Sequence, residues 1–242
     1  MEGKMTELER ALPGEEVSYS PWGKAYVITT DLKRYVPDAE SVAREIATRL
    51  ESFSFDGIAD KLKMRENILS SDILFFDLET CGLAYEPIFL SGILIEEGGE
   101  FFIRQFLARD FDEESAILAM TLMMMDTKKL LVTFNGRRFD VPYLLRRSDA
   151  GGIPFAEMPA HLDMLDIAKR RWAKYLPNCR LTTLESHLLN RHREGDIPGS
   201  LIPAAYHRFV RTGNPSELTR IIYHNALDLI TLAQLTALYA KS

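Results

Sequence analysis

Cysteine is scarce in this chain. Cys81 and Cys179 are the only two among 242 residues, too few for a disulfide framework and without the paired spacing of a zinc site. Both are therefore expected as reduced thiols. Long apolar runs are missing too: no stretch approaches the roughly 20 apolar residues of a membrane span. The opening MEGKMTELERALPGEE is polar and acidic, with none of the apolar region of a secretory leader. These absences predict a cytoplasmic chain with no membrane partner. Repeats and low-complexity segments do not stand out, and the apolar and charged fractions, 46% and 26%, suit one good-sized core with a small appendage. The sequence leaves the oligomeric state open.

An excess of positive charge is also lacking. The net charge of -6 argues at first against a phosphate-bearing partner, because such contacts are normally carried by Lys and Arg. The average hides a split: residues 1–127 hold 12 Lys+Arg against 25 Asp+Glu, and residues 128–242 hold 17 against 10. The second half has the surplus needed to follow a phosphate chain, although any one arginine on a helix is more simply a solvated side chain.

What the chain does contain falls into two parts. Residues 1–70 form a preamble with a strand pattern at 25–30, an amphipathic helix over 39–51 and a short helix before Asn67. Residues 71–242 form the main domain. It opens on the apolar run Ile73-Leu-Phe-Phe76, suited to a buried central strand. Strands at 88–95 and 100–107 follow, joined by Glu96-Glu97-Gly98-Gly99, a hairpin signal. A helix begins near Asp112 and carries Met120, Met123, Met124 and Met125, at a spacing that reads as core filler rather than a soft-metal site. A strand over 130–134, a short strand around 161–164, a helix through Trp172 and a final helix or helix pair from Pro215 to about Tyr239 complete the order. Three antiparallel strands, a helix, and two further strands separated by a helix predict an α/β fold with a mixed sheet, an order that strand–helix alternation alone does not assign to one fold.

Three acidic elements stand out. Asp77 and Glu79, at i and i+2 on a strand, project to one face and can aim at one cation. Buried carboxylates are costly unless paired, and a hard divalent ion pairs with them through oxygen. A lone Asp-x-Glu at a strand end is weak evidence, since the strand can simply run out into water. The second element, Phe134-Asn-Gly-Arg-Arg-Phe-Asp140, is a strand end, a turn and an Asp at or next to the N-cap of a helix whose first turn contains Pro142. Capping alone explains Asp140 about equally well. The third is Tyr223-His-Asn-Ala-Leu-Asp228, where the four-residue spacing puts His224 beside Asp228 on one helix face and Tyr223 well off it. Three such elements in this order outweigh the bland explanation of each.

With these residues the sequence resembles the DEDD superfamily of 3'-5' exonucleases, of ribonuclease H-like fold, whose motifs are Asp-x-Glu, Asn-x(2-3)-Phe-Asp and a C-terminal Asp preceded by Tyr or His. The stretch His161-Leu-Asp163-Met-Leu-Asp166, with Leu184-Glu185 and Arg193-Glu-Gly-Asp196-Ile-Pro-Gly199, is similar to its YprB-like branch of predicted exonucleases. The resemblance covers about residues 72–240. One departure stands out: Tyr-bearing members place Tyr four residues before the last Asp and His-bearing members place His five before it, whereas here His is at minus four and Tyr at minus five.

The resemblance implies a ribonuclease H-like mixed sheet and two-metal hydrolysis of phosphodiester bonds in DNA or RNA, with two Mg2+ or Mn2+ ions. Asp77, Glu79 and Asp228 would ligate the first ion, Asp77 would be shared, and Asp140 would hold the second. His224 would accept or orient the proton of the attacking water. Thr80, Asn135, Arg137, Arg138 and Asp163 are candidates for substrate contacts or support, against the simpler roles of turn residue, helix cap and solvated arginine. Lys169, Arg170, Arg171, Arg191 and Arg193 are further candidates for phosphate contacts. A same-fold endonuclease on structured nucleic acid and an inactive nucleic-acid-binding module are the alternatives.

Overall fold

The computed structural model describes residues 6–51, 68–82, 85–155 and 157–240; the short helix expected before Asn67 lies outside the described residues. Its strands are β1 (Glu15–Ser18), β2 (Lys24–Asp31), β3 (Ile73–Thr80), β4 (Ile88–Glu97), β5 (Glu100–Leu107), β6 (Leu130–Thr133) and β7 (Ala160–Asp163). They form one sheet in the order β1-β2-β5-β4-β3-β6-β7. Pairing is antiparallel from β1 through β3, and β6 and β7 then run parallel to β3. The expected three antiparallel and two parallel strands are all present. β1 and β2, from the first 70 residues, continue the same sheet: β2 pairs with β5 over Tyr26–Asp31 and so covers an edge that would otherwise be open.

The helices are α1 (Glu7–Ala11), α2 (Ala39–Glu51), α3 (Glu114–Asp126), α4 (Asp140–Ala150), α5 (Met164–Arg171), α6 (Leu181–Leu188), α7 (Ile202–Thr212) and α8 (Ser216–Ala240). The segment from Pro215 is thus one long helix rather than a pair. The β4–β5 hairpin turns through Gly98 and Gly99, both at positive φ (64° and 89°), which is the two-residue turn whose twist matches the strands.

Alternation along β3 builds two cores. Leu74, Phe76 and Leu78 join one with α3 and α7, while Ile73 and Phe75 join the other with α2, α5 and much of α8. Asp77 and Glu79 continue the register of Ile73 and Phe75, so the strand delivers both to the face crossed by α8. Met120 and Met125 are buried as expected and Met124 packs against the core, but Met123 is 44% exposed because it falls on the solvent side of α3. Cys81 and Cys179 are free thiols. Among the described residues no helix is long and apolar enough to cross a membrane.

Candidate active site

The site lies where β3 ends, α4 begins and α8 crosses the sheet. β3 breaks register between Glu79 and Thr80, which ends regular pairing just after the second carboxylate. Asp77 and Glu79 remain half-buried, so solvent still reaches them. Asp140 is the first residue of α4 rather than its cap. Its carboxylate is 5% exposed and accepts from the main-chain N–H groups of Asp140 and Leu78, a helix start aimed at a negative charge. From α8, Asp228 closes the group.

The four carboxylates strain one another electrostatically. Loss of hydration holds Asp77 well above the usual carboxylate range, reinforced by Asp228, Glu79 and Asp140 and opposed by a hydrogen bond from Asn225. Burial pushes Glu79 up to about 8, with His224 opposing and Asp228, Asp140 and Asp196 adding to the rise. Asp140 is pushed up to about 7 by burial, against its main-chain donors. Buried like charges that cannot all ionise are the condition a bound cation relieves.

His224 extends from α8 between two acids. Its Nδ1 is 2.9 Å from Asp196 Oδ1, and its Nε2 is 3.6 Å from Asp228 Oδ2. A carboxylate only accepts, so Nδ1 carries the hydrogen and Nε2 is the nitrogen turned to the site. Burial would lower the pKa of His224, but the Asp196 hydrogen bond and the charges of Asp228 and Glu79 outweigh it and lift it to about 9. Tyr223 turns away, its ring 6.0 Å from that of Tyr35.

Several expectations are corrected here. Arg191 and Arg193 are not solvated cations awaiting phosphate. Arg191 donates to Glu185 Oε1 at 2.6 Å and to Thr231. Arg193, with a side chain only 6% exposed, bonds Glu185 Oε2 at 2.5 Å and pairs with Asp196 at 3.3 Å and Asp228 Oδ1 at 2.6 Å. The Arg193–Asp228 contact is close but not aligned as a hydrogen bond, and both atoms lack an aligned hydrogen-bond partner. The cause is Glu185, itself 1% exposed, which draws both arginines inward. Thr80 is on the opposite side of β3 from the carboxylates, and its hydroxyl donates to Gly82 O at 2.6 Å, closing the next loop.

Asp163 is both a cap and an organiser of the second motif. It accepts from Leu165 N at the start of α5, and from the main-chain N–H groups of Asn135 (2.8 Å) and Arg137 (3.0 Å). The turn it holds includes Asn135 at φ 65°, a left-handed conformation that Asn tolerates. Arg137 also pairs with Asp166 at 3.2 Å, and both Arg137 and Arg138 are exposed at the rim.

Asp196, Arg193 and Asn225 complete the site; the stretch holding Arg193 and Asp196 counts in the resemblance and Arg193 is expected there as a phosphate contact, but neither is expected beside the carboxylates, and Asn225 has no role in the motifs as read from sequence. A signal existed for Asn225, which is three residues before Asp228 and hence on the same helix face; nothing local marks Asp196 as the partner of His224. Among the described residues, no three His, Cys, Asp or Glu side chains stand as a ready ligand shell for a metal. Three of the carboxylates are instead engaged by internal donors: Asp77 by Asn225, Asp140 by main-chain N–H groups and Asp228 by Arg193. The donor set is nonetheless all oxygen, partly buried and self-repelling, which fits a hard divalent ion such as Mg2+ or Mn2+.

The family model described as RNase_H superfamily matches residues 74–240. The chain is 31% identical over 170 residues to the uncharacterized protein YprB of Bacillus subtilis (strain 168), an alignment covering 68% of this chain and 41% of that protein. It therefore spans well under half the length of that relative. Among solved structures it is similar to the family B DNA polymerase of the hyperthermophilic archaeon Pyrobaculum calidifontis, with a TM-score of 0.56, 16% identity, and coverage of 68% of this chain and 24% of the polymerase. At that identity the likeness is one of fold.

Proposed function

This chain belongs to the RNase H superfamily, and from that membership we propose that it is a metal-dependent 3'-5' exonuclease that hydrolyses phosphodiester bonds of DNA or RNA. The observation that carries the reading is the convergence of Asp77, Glu79, Asp140 and Asp228, from three separate elements, into one acidic group with Glu79 raised to about 8 and Asp140 to about 7. A protein that only bound nucleic acid would have no use for concentrated negative charge facing a polyanion. Residues 71–242 would form the nuclease unit, with residues 1–70 an extension whose strands share its sheet.

In this reading Asp77, Glu79 and Asp228 would hold one divalent ion, and Asp77 with Asp140 would hold a second. Bound there, such ions supply Lewis-acid stabilisation to the attacking and leaving oxygens of an in-line displacement. The chain's own residues do the remainder. Asp196 fixes the His224 ring so that Nε2 faces the acidic group; held at about 9 by the surrounding carboxylates, the ring is an imidazolium whose Nε2–H orients a water molecule, and it would accept a proton only once bound cations offset those carboxylates. Arg193 restrains Asp228 through Oδ1, while Oδ2 is the oxygen that approaches the histidine. Arg137 and Arg138, exposed beside the second motif, are placed to meet backbone phosphates.

The test is incubation of the pure protein with Mn2+ or Mg2+ and end-labelled single- and double-stranded DNA and RNA, with Asp77→Ala as control. A product ladder receding from the 3' end, lost in the variant, is the expected result. Internal cuts would replace the exonuclease by an endonuclease of the same fold, and binding without any product would leave a nucleic-acid-binding module.

A further inference from the structure

Asp77 is held by a chain of buried amides that starts two strands away. In the sheet Asp77 of β3 faces Gly92 of β4, and Gly92 faces Gln105 of β5, so the three form a row across neighbouring strands. Helix α8 crosses above this row and places Asn225, fully buried, over Gly92. A Cβ at position 92 would stand 2.0 Å from Asn225 Oδ1, 2.7 Å from its Cγ and 2.8 Å from its Nδ2. The conformation of Gly92 is not one that demands glycine, and glycine inside a strand is unfavourable. The missing side chain serves close approach, and the group that approaches is the Asn225 amide.

That amide is locked in orientation. Asn225 Nδ2 donates to Asp77 Oδ2 at 2.8 Å, while Asn225 Oδ1 accepts from Gln105 Nε2 at 2.8 Å. Gln105 Nε2 also donates to the Ile222 carbonyl at 2.8 Å, one turn back along α8. Because Gln105 presents its NH2 group to two acceptors, Asn225 must offer it the oxygen and turn its own NH2 to Asp77. A flipped Asn225 would face donor with donor at one end and acceptor with acceptor at the other. Gln105 is itself fully buried, so water cannot substitute for this lock.

We propose that Gly92, Gln105 and Asn225 are a positioning device for the first carboxylate of the site: Gly92 admits Asn225, Gln105 orients it, and Asn225 grips one oxygen of Asp77 so that the other stays presented to a divalent cation. The proposal rests on the metal-site reading above and adds residues that touch neither ion nor substrate. Removing partners of this kind typically costs about 10- to 100-fold in metal affinity.

The experiment is calorimetric titration of the metal-free protein with Mn2+, together with the Mn2+-induced shift in Tm. Asn225→Ala is expected to weaken Mn2+ binding about 10- to 100-fold. Gly92→Ala should weaken it comparably by displacing Asn225, and the double variant Gly92→Ala/Asn225→Ala should bind no worse than Asn225→Ala alone, because the atoms that collide with the new methyl are gone. Should Asn225→Ala fail to fold, Gln105→Met, which removes the lock and leaves Asn225 in place, is expected to weaken Mn2+ binding in the same direction. Asn225→Ala binding indistinguishable from wild type, or losses that simply add in the double variant, would overturn the proposal and leave the metal site standing. A wild-type protein that takes up no Mn2+ would overturn the metal reading and this inference with it.

Discussion

Replacing Arg193 by Met should destabilise the metal-free protein far more than the metal-loaded one. The guanidinium is almost wholly buried and pairs with Glu185, Asp196 and Asp228 at 2.5, 3.3 and 2.6 Å. Its loss leaves Glu185 with only Arg191 and leaves Asp228 with no arginine partner among three other carboxylates. Breaking a buried pair from one side costs about 3–5 kcal/mol, and at about 2–4 °C per kcal/mol for a chain of this size the Tm in EDTA should fall by roughly 6–20 °C. A divalent ion would return positive charge to Asp228, so in saturating Mn2+ the loss should shrink to the part owed to Glu185. Lowering the pH should shrink it as well, because Glu79 and Asp140, held up at about 8 and about 7, take up protons as the pH falls below those values. The assay is thermal unfolding of wild type and Arg193→Met in EDTA and in Mn2+, each at about pH 9 and about pH 5.5, on either side of those two values. An equal loss of Tm in all four conditions would refute the reasoning, since the arginine would then be packing and not counter-charge.

The wild-type protein in EDTA should itself lose stability as the pH rises. Glu79 and Asp140 have folded-state pKa values above their ordinary 4.5 and 3.8, so their contribution is fully present below those ordinary values and disappears as the pH passes about 7 and then about 8; Tm in EDTA across pH 4–9, which brackets both transitions, measures it, and a rising or flat profile through that window counts against the crowded-carboxylate account. The Tm gap between Mn2+ and EDTA should widen over the same range. Asp196→Asn should cut kcat about 100-fold or more with KM little changed, because the carboxamide lacks the negative charge that holds Nδ1–H and can turn its NH2 to the ring, so Nε2 is no longer fixed toward the site; wild-type turnover in this variant, read on the labelled-strand assay, would remove Asp196 from the machinery. Tyr223→Phe should leave turnover unchanged while His224→Ala lowers it at every pH, and the opposite pattern would make the tyrosine the working group.

Much of the frame was legible because its signals are local. The apolar run at 73–76, the Gly-Gly hairpin and the amphipathic spacing over 39–51 each report the dihedral preferences and burial of a few consecutive residues, and each element appears where they put it. Asp77 with Glu79, and His224 with Asp228, were legible for the same reason, since strand and helix periods dictate which neighbours share a face. The arginines were not. Arg193 and Arg137 look alike in sequence, yet one is buried against Asp228 and the other is exposed at the rim, because the environment of a long cation depends on which distant carboxylate is folded beside it.

The sequence by itself determined the succession of strands and helices along the main domain, the acidic elements and which of their residues face together, because these follow from backbone periods repeated over short spans. Only the tertiary structure decided that β1 and β2 extend the sheet, that Asp196 holds His224 from 28 residues away, and that Asn225 reaches Asp77 across 148. Those contacts join side chains on separate elements, and their energy exists only once the surrounding core has excluded water and made each unpaired charge or amide costly.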